Sequence, residues 1–225
     1  TPSFSYTLYE NDDGQPVKLH YCTSYQMSER VSEYFVGEEI LGFDLEWYPN
    51  ANAKMSWKEN VSLIQIASPS RIALFHIALH KGTTPEAVIP ATLRQILESS
   101  NVIKTGVAIP SDCTRFSKWL NIDIRGQMEL SHFHNQLINR RAANKAVSKG
   151  LISLANLAKE YLQMPLQKGE VRVSNWHKAL NYEQSIYAAN DAYASLCLFF
   201  ELDQRRKALD NPPARPGLAE LKLPI

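Results

Sequence analysis

The chain has 225 residues, of which 44% are hydrophobic and 21% charged, and these proportions are typical of one soluble globular domain. No apolar run approaches the length of about 18 residues that a membrane span requires, so we expect no contact with a membrane. The three cysteines are far apart and include no CxxC pair, which argues against a disulfide framework and a thiolate zinc site. They favour a reducing, intracellular compartment, either nucleus or cytoplasm.

The net charge of +1 conceals an uneven distribution of charge along the chain. Residues 1–103 carry 7 Lys and Arg against 12 Asp and Glu, whereas residues 104–178 carry 12 against 5. A basic segment beside an acidic metal cluster would attract a phosphate polymer toward bound cations. A solvated basic surface would have the same composition, so charge alone does not decide between the two.

The first third of the chain predicts strands with one helix among them. Residues 5–9 and 17–22 indicate two strands around an Asn-Asp-Asp-Gly turn. Residues 24–36 have apolar positions at helical spacing, with Gly37 as the stop. Further strands are indicated at 40–47, 61–68 and 71–77.

The rest of the chain is mainly helical. A buried strand is indicated at 101–109, and helices are indicated at 90–99, 112–120 after the capping residue Ser111, 130–140, 151–162 and 182–208. Strands followed by helices predict an α/β domain with a mixed sheet. We expect one domain over residues 1–210 and a proline-rich tail, 211–225, that is either an irregular strap or disordered. Because the chain opens at Thr1, we expect a fragment or a processed product.

Four acids and a tyrosine stand in apolar surroundings in three separate segments. Asp44 and Glu46 of GFDLEW are two apart on a predicted strand, so they share one face. Asp112 follows a buried strand at the start of a helix, where the helix dipole favours a carboxylate. Tyr187 and Asp191 of YAAND share one helical face, and no Lys or Arg lies within one turn of Asp191.

Several carboxylates at one buried place require a cation, because a buried charge is costly and like charges repel. Oxygen ligands suit Mg²⁺ or Mn²⁺, and such clusters are typical of in-line displacement at phosphorus. Each motif also has a plainer interpretation. The DxE pair could lie on the solvent-exposed face of a strand. Asp112 could be an ordinary acid in the first turn of a helix, and Tyr187 could be an aromatic side chain of the core.

Basic residues near the third motif are weaker candidates for phosphate contact. Lys168, Arg172 and Lys178 surround VSNW, and the segment 140–149 is strongly basic. A solvated loop is the simpler interpretation of that segment. Walker-type P-loop, GxSxG and HExxH motifs are absent from the sequence.

Taken together, the order DxE, D and YxxxD resembles the DEDDy family of 3′→5′ exonucleases. GFDLEW, VSLIQIA, KTGVAIPSD, VRVSNW and YAANDAY follow one another as in the Werner-type exonuclease domain, over roughly residues 17–205. The resemblance implies an RNase H-like fold, in which α-helices flank a mixed central β-sheet. The loop at 48–60 departs from the family pattern, so contacts to the substrate end are less defined there.

The resemblance also implies roles for individual residues. Asp44, Glu46 and Asp191 would hold one divalent ion, Mg²⁺ or Mn²⁺, and Asp44 would bridge to a second ion that Asp112 supports. Tyr187 would orient the attacking water. The implied or candidate substrate contacts are Trp47, Leu63, Gln65, Arg172 and Trp176.

The activity that the resemblance implies is hydrolysis of the terminal phosphodiester of a nucleic acid with a free 3′ end. A two-metal-ion mechanism would release nucleoside 5′-monophosphates with low sequence specificity. We favour DNA slightly as the substrate. The alternatives are an RNA-trimming exoribonuclease, a catalytically inactive nucleic-acid-binding module, in which acids are usually lost, and a docking platform for unidentified protein partners.

Overall fold

A six-stranded mixed β-sheet forms the centre of the fold in the computed structural model, which describes residues 2–139, 147–167 and 169–225. The strand order is β1-β4-β3-β2-β5-β6. The strands are β1 Lys18–Cys22, β2 Ile40–Glu46, β3 Leu63–Ser68, β4 Arg71–Phe75, β5 Ile103–Gly106 and β6 Gln127–Glu129.

The sheet combines parallel and antiparallel pairs, as the sequence predicted. Strand β2 pairs antiparallel with β3 and parallel with β5, and β3 pairs antiparallel with β4. The edge strands β1 and β6 lie parallel to their neighbours. The register places Asp44 opposite Gln65 and Glu46 opposite Leu63, which puts the DxE pair at the end of the central strand.

Helices cover both faces of the sheet. They are α1 Tyr25–Ser32, α2 Trp57–Asn60, α3 Pro85–Val88, α4 Ala91–Glu98, α5 Ile109–Leu120, α6 Leu130–Ile138, α7 Leu154–Tyr161 and α8 Tyr182–Lys207. Short 3₁₀ turns include Tyr6–Leu8 and Glu170–Val173. Among the described residues we find no helix that could span a lipid bilayer.

Successive side chains of β2 point to opposite faces of the sheet. Phe43 and Leu45 pack with Phe116 of α5 on one face, in a cluster that also includes residues of α1 and α4. Burial of each such apolar side chain contributes about 1.5–3 kcal/mol. Gly42, Asp44 and Glu46 belong to the other face, against which α8 packs.

Helix α8 lies against the sheet at unusually close range. At Gly42 a Cβ atom would overlap the backbone carbonyl of Ala192 on α8. Ala188 and Ala192 are fully buried there, because only small side chains fit between helix and strand. The close approach brings the middle of α8, which carries Asp191, beside the carboxyl end of β2.

Side-chain contacts tie the tail 211–225 to the rest of the chain. Arg215 pairs with Asp203 of α8. Both carboxylate oxygens of Glu220 accept hydrogen bonds at the start of β6, from the backbone N–H groups of Gly126 at 2.6 Å and Gln127 at 3.0 Å.

Two predictions of secondary structure are wrong. Residues 5–9 form no strand, because the Ser5 hydroxyl caps the 3₁₀ turn Tyr6–Leu8. The helix expected at 112–120 begins at Ile109, after Ala108 in the left-handed region with φ of 57°. Ser111 is therefore inside the helix and not its cap. Strand β6 escaped prediction because it has only three residues.

Candidate active site

Three of the four predicted acids converge at the end of β2. One carboxylate oxygen from each of Asp44, Glu46 and Asp191 lies within 4.8 Å of the other two. Glu46 is 9% exposed, and Asp44 and Asp191 are half-buried. Spacing of two residues places the first two on one strand face, and the close packing of α8 at Gly42 brings the third beside them. We name Asp44, Glu46 and Asp191 the acid cluster.

The acid cluster is electrostatically unfavourable on its own. Burial raises the pKa of Asp44 and Glu46 well above the usual range, and repulsion from the other acids raises both further. Burial also raises the pKa of Asp191 to about 7, although the Tyr187 hydroxyl and Arg172 act in the opposite direction. Carboxylates held together in this way favour a bound cation over the free, charged site.

Asp112 belongs to the same cleft but lies outside the acid cluster. It sits in the first turn of α5, on the side of the sheet opposite α8. Burial and the neighbouring Glu129 raise the pKa of Asp112 to about 7, while Arg115 acts to lower it. The negative charge of Asp112 also raises the pKa of Asp44.

Glu129 is a buried acid that the sequence analysis missed. It ends β6, is 1% exposed, and accepts hydrogen bonds from the backbone N–H groups of Ile109 at 3.2 Å and Ser131 at 3.0 Å. Glu129 therefore caps the start of α5 and fixes the position of Asp112. Had β6 been predicted, Glu129 would have been recognised as an acid at the end of a strand.

Tyr187 stands one helical turn before Asp191, and its hydroxyl lies beside that carboxylate. Burial and the adjacent acids raise the pKa of Tyr187, so the hydroxyl stays protonated at neutral pH. The centre of the Trp176 ring lies 6.0 Å from that of Tyr187. The Trp176 indole also donates to the backbone carbonyl of Arg172 at 3.2 Å, so it braces Tyr187 and the Arg172 turn together.

An open cleft of about 820 Å³ gives access to the acids. Its walls include Trp47 and Pro49 after β2, Leu154 of α7, and Arg172 of the 3₁₀ turn Glu170–Val173. Arg172 is exposed, and its charge lowers the pKa of Glu46 and Asp191. A cleft of this size is typical of small-ligand sites.

Of the predicted substrate contacts, Trp47 and Arg172 line this cleft. Leu63, Gln65 and Trp176 have no exposed surface, so contact with a nucleotide stays a prediction and their burial favours a packing role. Lys178 is exposed. Lys168 and most of the basic segment, residues 140–146, lie outside the described residues.

The chain matches known proteins over most of its length. A family model described as 3′-5′ exonuclease matches residues 20–206. Exonuclease 3′-5′ domain-containing protein 2 of Homo sapiens is 34% identical over 165 residues, which are 72% of this chain and 25% of the relative. The bifunctional 3′-5′ exonuclease/ATP-dependent helicase WRN of Mus musculus is 31% identical over 179 residues, 78% of this chain and 12% of the relative. The chain thus spans a quarter or less of these relatives.

A solved structure shares the fold. The crystal structure of the Aedes aegypti Nibbler EXO domain superposes with a TM-score of 0.72 at 21% identity, covering 92% of this chain and 94% of that one. The similarity confirms the RNase H-like fold that the motifs implied. From the family match and the two relatives, we conclude that the chain belongs to the 3′-5′ exonuclease domain family.

Proposed function

We propose that this chain is a divalent-metal-dependent 3′→5′ exonuclease that hydrolyses the last phosphodiester of a nucleic acid and releases a nucleoside 5′-monophosphate. The observation that carries the proposal is the convergence of Asp44, Glu46 and Asp191 in an open cleft of a chain of this family. The sequence keeps all four acids and the tyrosine, which favours an enzyme over an inactive binding module.

The donor set fits a hard divalent ion. All its donors are carboxylate oxygens, as Mg²⁺ and Mn²⁺ prefer. Two oxygens on one Mg²⁺ are at most about 4.2 Å apart, and the ligand oxygens of the acid cluster all lie within 4.8 Å of one another. We propose that the acid cluster holds one ion and that Asp44 and Asp112 hold a second. Bound ions supply positive charge that stabilises the transition state of phosphoryl transfer and activates water.

The protein side chains position the reactants for in-line displacement. The protonated Tyr187 hydroxyl lies beside Asp191, and in the proposed reaction it would donate a hydrogen bond to the attacking water at that position. The water oxygen forms the new bond to phosphorus while the bond to the 3′-oxygen breaks, and the proton lost by water is balanced by one gained at the 3′-oxygen. Arg172 faces the acids from the cleft wall, where it can contact non-bridging phosphate oxygens.

The substrate that we propose is a nucleic acid with a free 3′ end, with DNA favoured over RNA. Contacts to metal and phosphate contain no information about the base, so sequence specificity is expected to be low. We further propose that residues 1–210 form one catalytic domain with the tail as its strap. The three free cysteines favour an intracellular location.

The test uses single-stranded and duplex DNA and RNA labelled at the 5′ end, with Mg²⁺, Mn²⁺ or EDTA. We expect a descending ladder of products with either metal and none with EDTA. Asp44→Asn should leave the substrate intact, whereas Asp12→Asn, which removes an exposed acid that does not line the cleft, should not alter the ladder. Degradation that persists in EDTA, or that proceeds from the 5′ end, would contradict the proposal.

A further inference from the structure

A second cavity, of about 390 Å³, opens beside α5. Trp47 and Asp112 line both this cavity and the cleft of the acid cluster, so the two spaces adjoin at these residues. The second cavity is lined by side chains of a different kind: the cations Arg115 and Lys118 and the ring of Trp119. None of these three was a candidate in the sequence analysis.

The wall of the second cavity is held rigidly. The Arg115 Nη1 donates to the backbone and side-chain oxygens of Asn60 at 3.4 Å and 3.3 Å, and its guanidinium lies 4.1 Å from the centre of the Trp47 ring. Asn60 is 2% exposed, and its own amide donates to the Asn52 carbonyl at 3.1 Å. The loop at 48–60 is therefore tied to α5 through Arg115.

Positive charge in the second cavity is available to a ligand. Within the parts of the chain that the structure describes, neither Arg115 nor Lys118 forms an ion pair. The hydrogen bonds of Arg115 use one nitrogen only, and a guanidinium has five N–H donors. Cations beside aromatic rings, here Trp47 and Trp119, are the combination by which proteins hold single-stranded nucleic acid.

The direction of the reaction places a particular nucleotide there. In an in-line displacement the attacking and leaving oxygens stand on opposite sides of phosphorus. Tyr187 and Asp191 approach the phosphate from α8, whereas Asp112 approaches from α5 on the opposite face of the sheet. With water held at Tyr187, the 3′-oxygen departs toward Asp112. The nucleotide that carries that oxygen then lies over the second cavity.

We propose that the second cavity binds the nucleotide on the 5′ side of the scissile bond, with Arg115 and Lys118 contacting its phosphate. This inference rests on the proposed function and assigns the subsite for the retained strand. The released 5′-monophosphate occupies the first cleft. Because Arg115 is anchored by Asn60 and Trp47, its guanidinium is oriented before the strand arrives.

A binding experiment tests the subsite without using catalysis. Fluorescence anisotropy would measure the Kd of short single-stranded DNA and RNA in Ca²⁺, with the oligonucleotide checked for integrity. Arg115→Gln and Lys118→Gln should each raise Kd about tenfold. Each should also reduce the slope of log Kd against log salt concentration by about one, as the loss of a phosphate contact does. Lys81→Gln removes an exposed charge elsewhere and should change neither quantity. Equal Kd values for the unmodified protein and all three variants would overturn the proposal.

Two substrates that differ on the 5′ side of the scissile bond show whether the Lys118→Gln effect arises at the proposed subsite. The p-nitrophenyl ester of thymidine 5′-monophosphate has no nucleotide on the 5′ side of the scissile bond, whereas a trinucleotide has two. We expect Lys118→Gln to raise KM for the trinucleotide about tenfold more than KM for the ester. Equal changes for both substrates would contradict the subsite. If the unmodified protein hydrolyses neither substrate but the anisotropy result holds, the proposed function fails and the binding surface stands.

Discussion

Helix α8 carries two carboxylates in opposite electrostatic situations. Asp203, near the end of the helix and 3% exposed, lies between three cations: Arg215 at 2.7 Å and Arg206 and Lys207 at 2.9 Å each. These partners hold the pKa of Asp203 well below its usual range. Asp191, three turns earlier, faces Asp44 and Glu46, and its pKa is raised.

The difference separates a carboxylate that stabilises the fold from one that is kept for a ligand. The partners of Asp203 are side chains of this chain, two on α8 and one in the tail, so its charge favours folding. The acid cluster has a surplus of negative charge, which a cation from solution would neutralise. Substitutions that remove one carboxylate from each region should therefore have opposite consequences.

Asp44→Asn should cause the largest change in activity. It removes a ligand common to both proposed ions, so nucleotide release should fall roughly a thousandfold or more. The same substitution removes repulsion within the acid cluster, so the melting temperature in EDTA should stay equal or rise. Release measured by chromatography and thermal unfolding in EDTA test both parts. Normal release would remove Asp44 from the mechanism, and a lower melting temperature would contradict the account of repulsion.

Gly42→Ala should weaken activity through packing alone. The added methyl group would overlap the Ala192 carbonyl, so α8 must move away from β2 and Asp191 must move away from Asp44. A displacement of about 1 Å can lower a rate about a hundredfold. Hydrolysis rate and unfolding free energy should both fall. The matched control is Gly150→Ala, where the nearest atom is the rotatable Ser148 hydroxyl, and unchanged hydrolysis by Gly42→Ala would contradict this account of the site.

Tyr187→Phe should have a smaller and more selective effect. It removes the hydroxyl beside Asp191 and keeps the ring that packs on Trp176. We expect kcat to fall about 10- to 100-fold, because the water is no longer oriented, with KM and melting temperature nearly constant. Steady-state kinetics distinguish this result from a binding defect. A change confined to KM would assign Tyr187 to substrate binding.

Asp203→Asn should leave hydrolysis unchanged and lower the free energy of unfolding by about 3 kcal/mol, as the breaking of a buried ion pair does. The pKa of Asp203 is lowered on folding, so its contribution is present above the unfolded pKa of about 3.9 and is lost as pH falls further. Denaturant unfolding of both proteins between neutral and acidic pH measures this. The difference between them should shrink below roughly pH 4, and a constant difference would contradict the assignment.

Local patterns predicted the parts of the site that depend on one element. Spacing of two residues placed Asp44 and Glu46 on one face, and spacing of four placed Tyr187 with Asp191. The sequence has no Lys or Arg within one turn of Asp191, and in the structure this carboxylate faces Asp44 and Glu46. The RNase H-like fold followed from the family resemblance and not from these patterns, and the strand order of the sheet was not predicted.

Contacts between distant segments could not be predicted in the same way. Arg115 contacts Asn60 and Trp47, which are more than fifty residues away in the sequence. No local spacing of residue types could therefore predict the second cavity. Glu129 caps α5 from a strand too short to carry an alternating pattern. The capping interaction of Ser5 overrode the apolar alternation of residues 5–9, which had indicated a strand.

Anomalous diffraction from crystals soaked in Mn²⁺ tests the central claim most directly. We predict an anomalous peak bounded by the carboxylates of Asp44, Glu46 and Asp191, and its loss in crystals of Asp44→Asn. A peak at another place, or an empty cluster in crystals whose protein hydrolyses nucleic acid in Mn²⁺, would contradict the account.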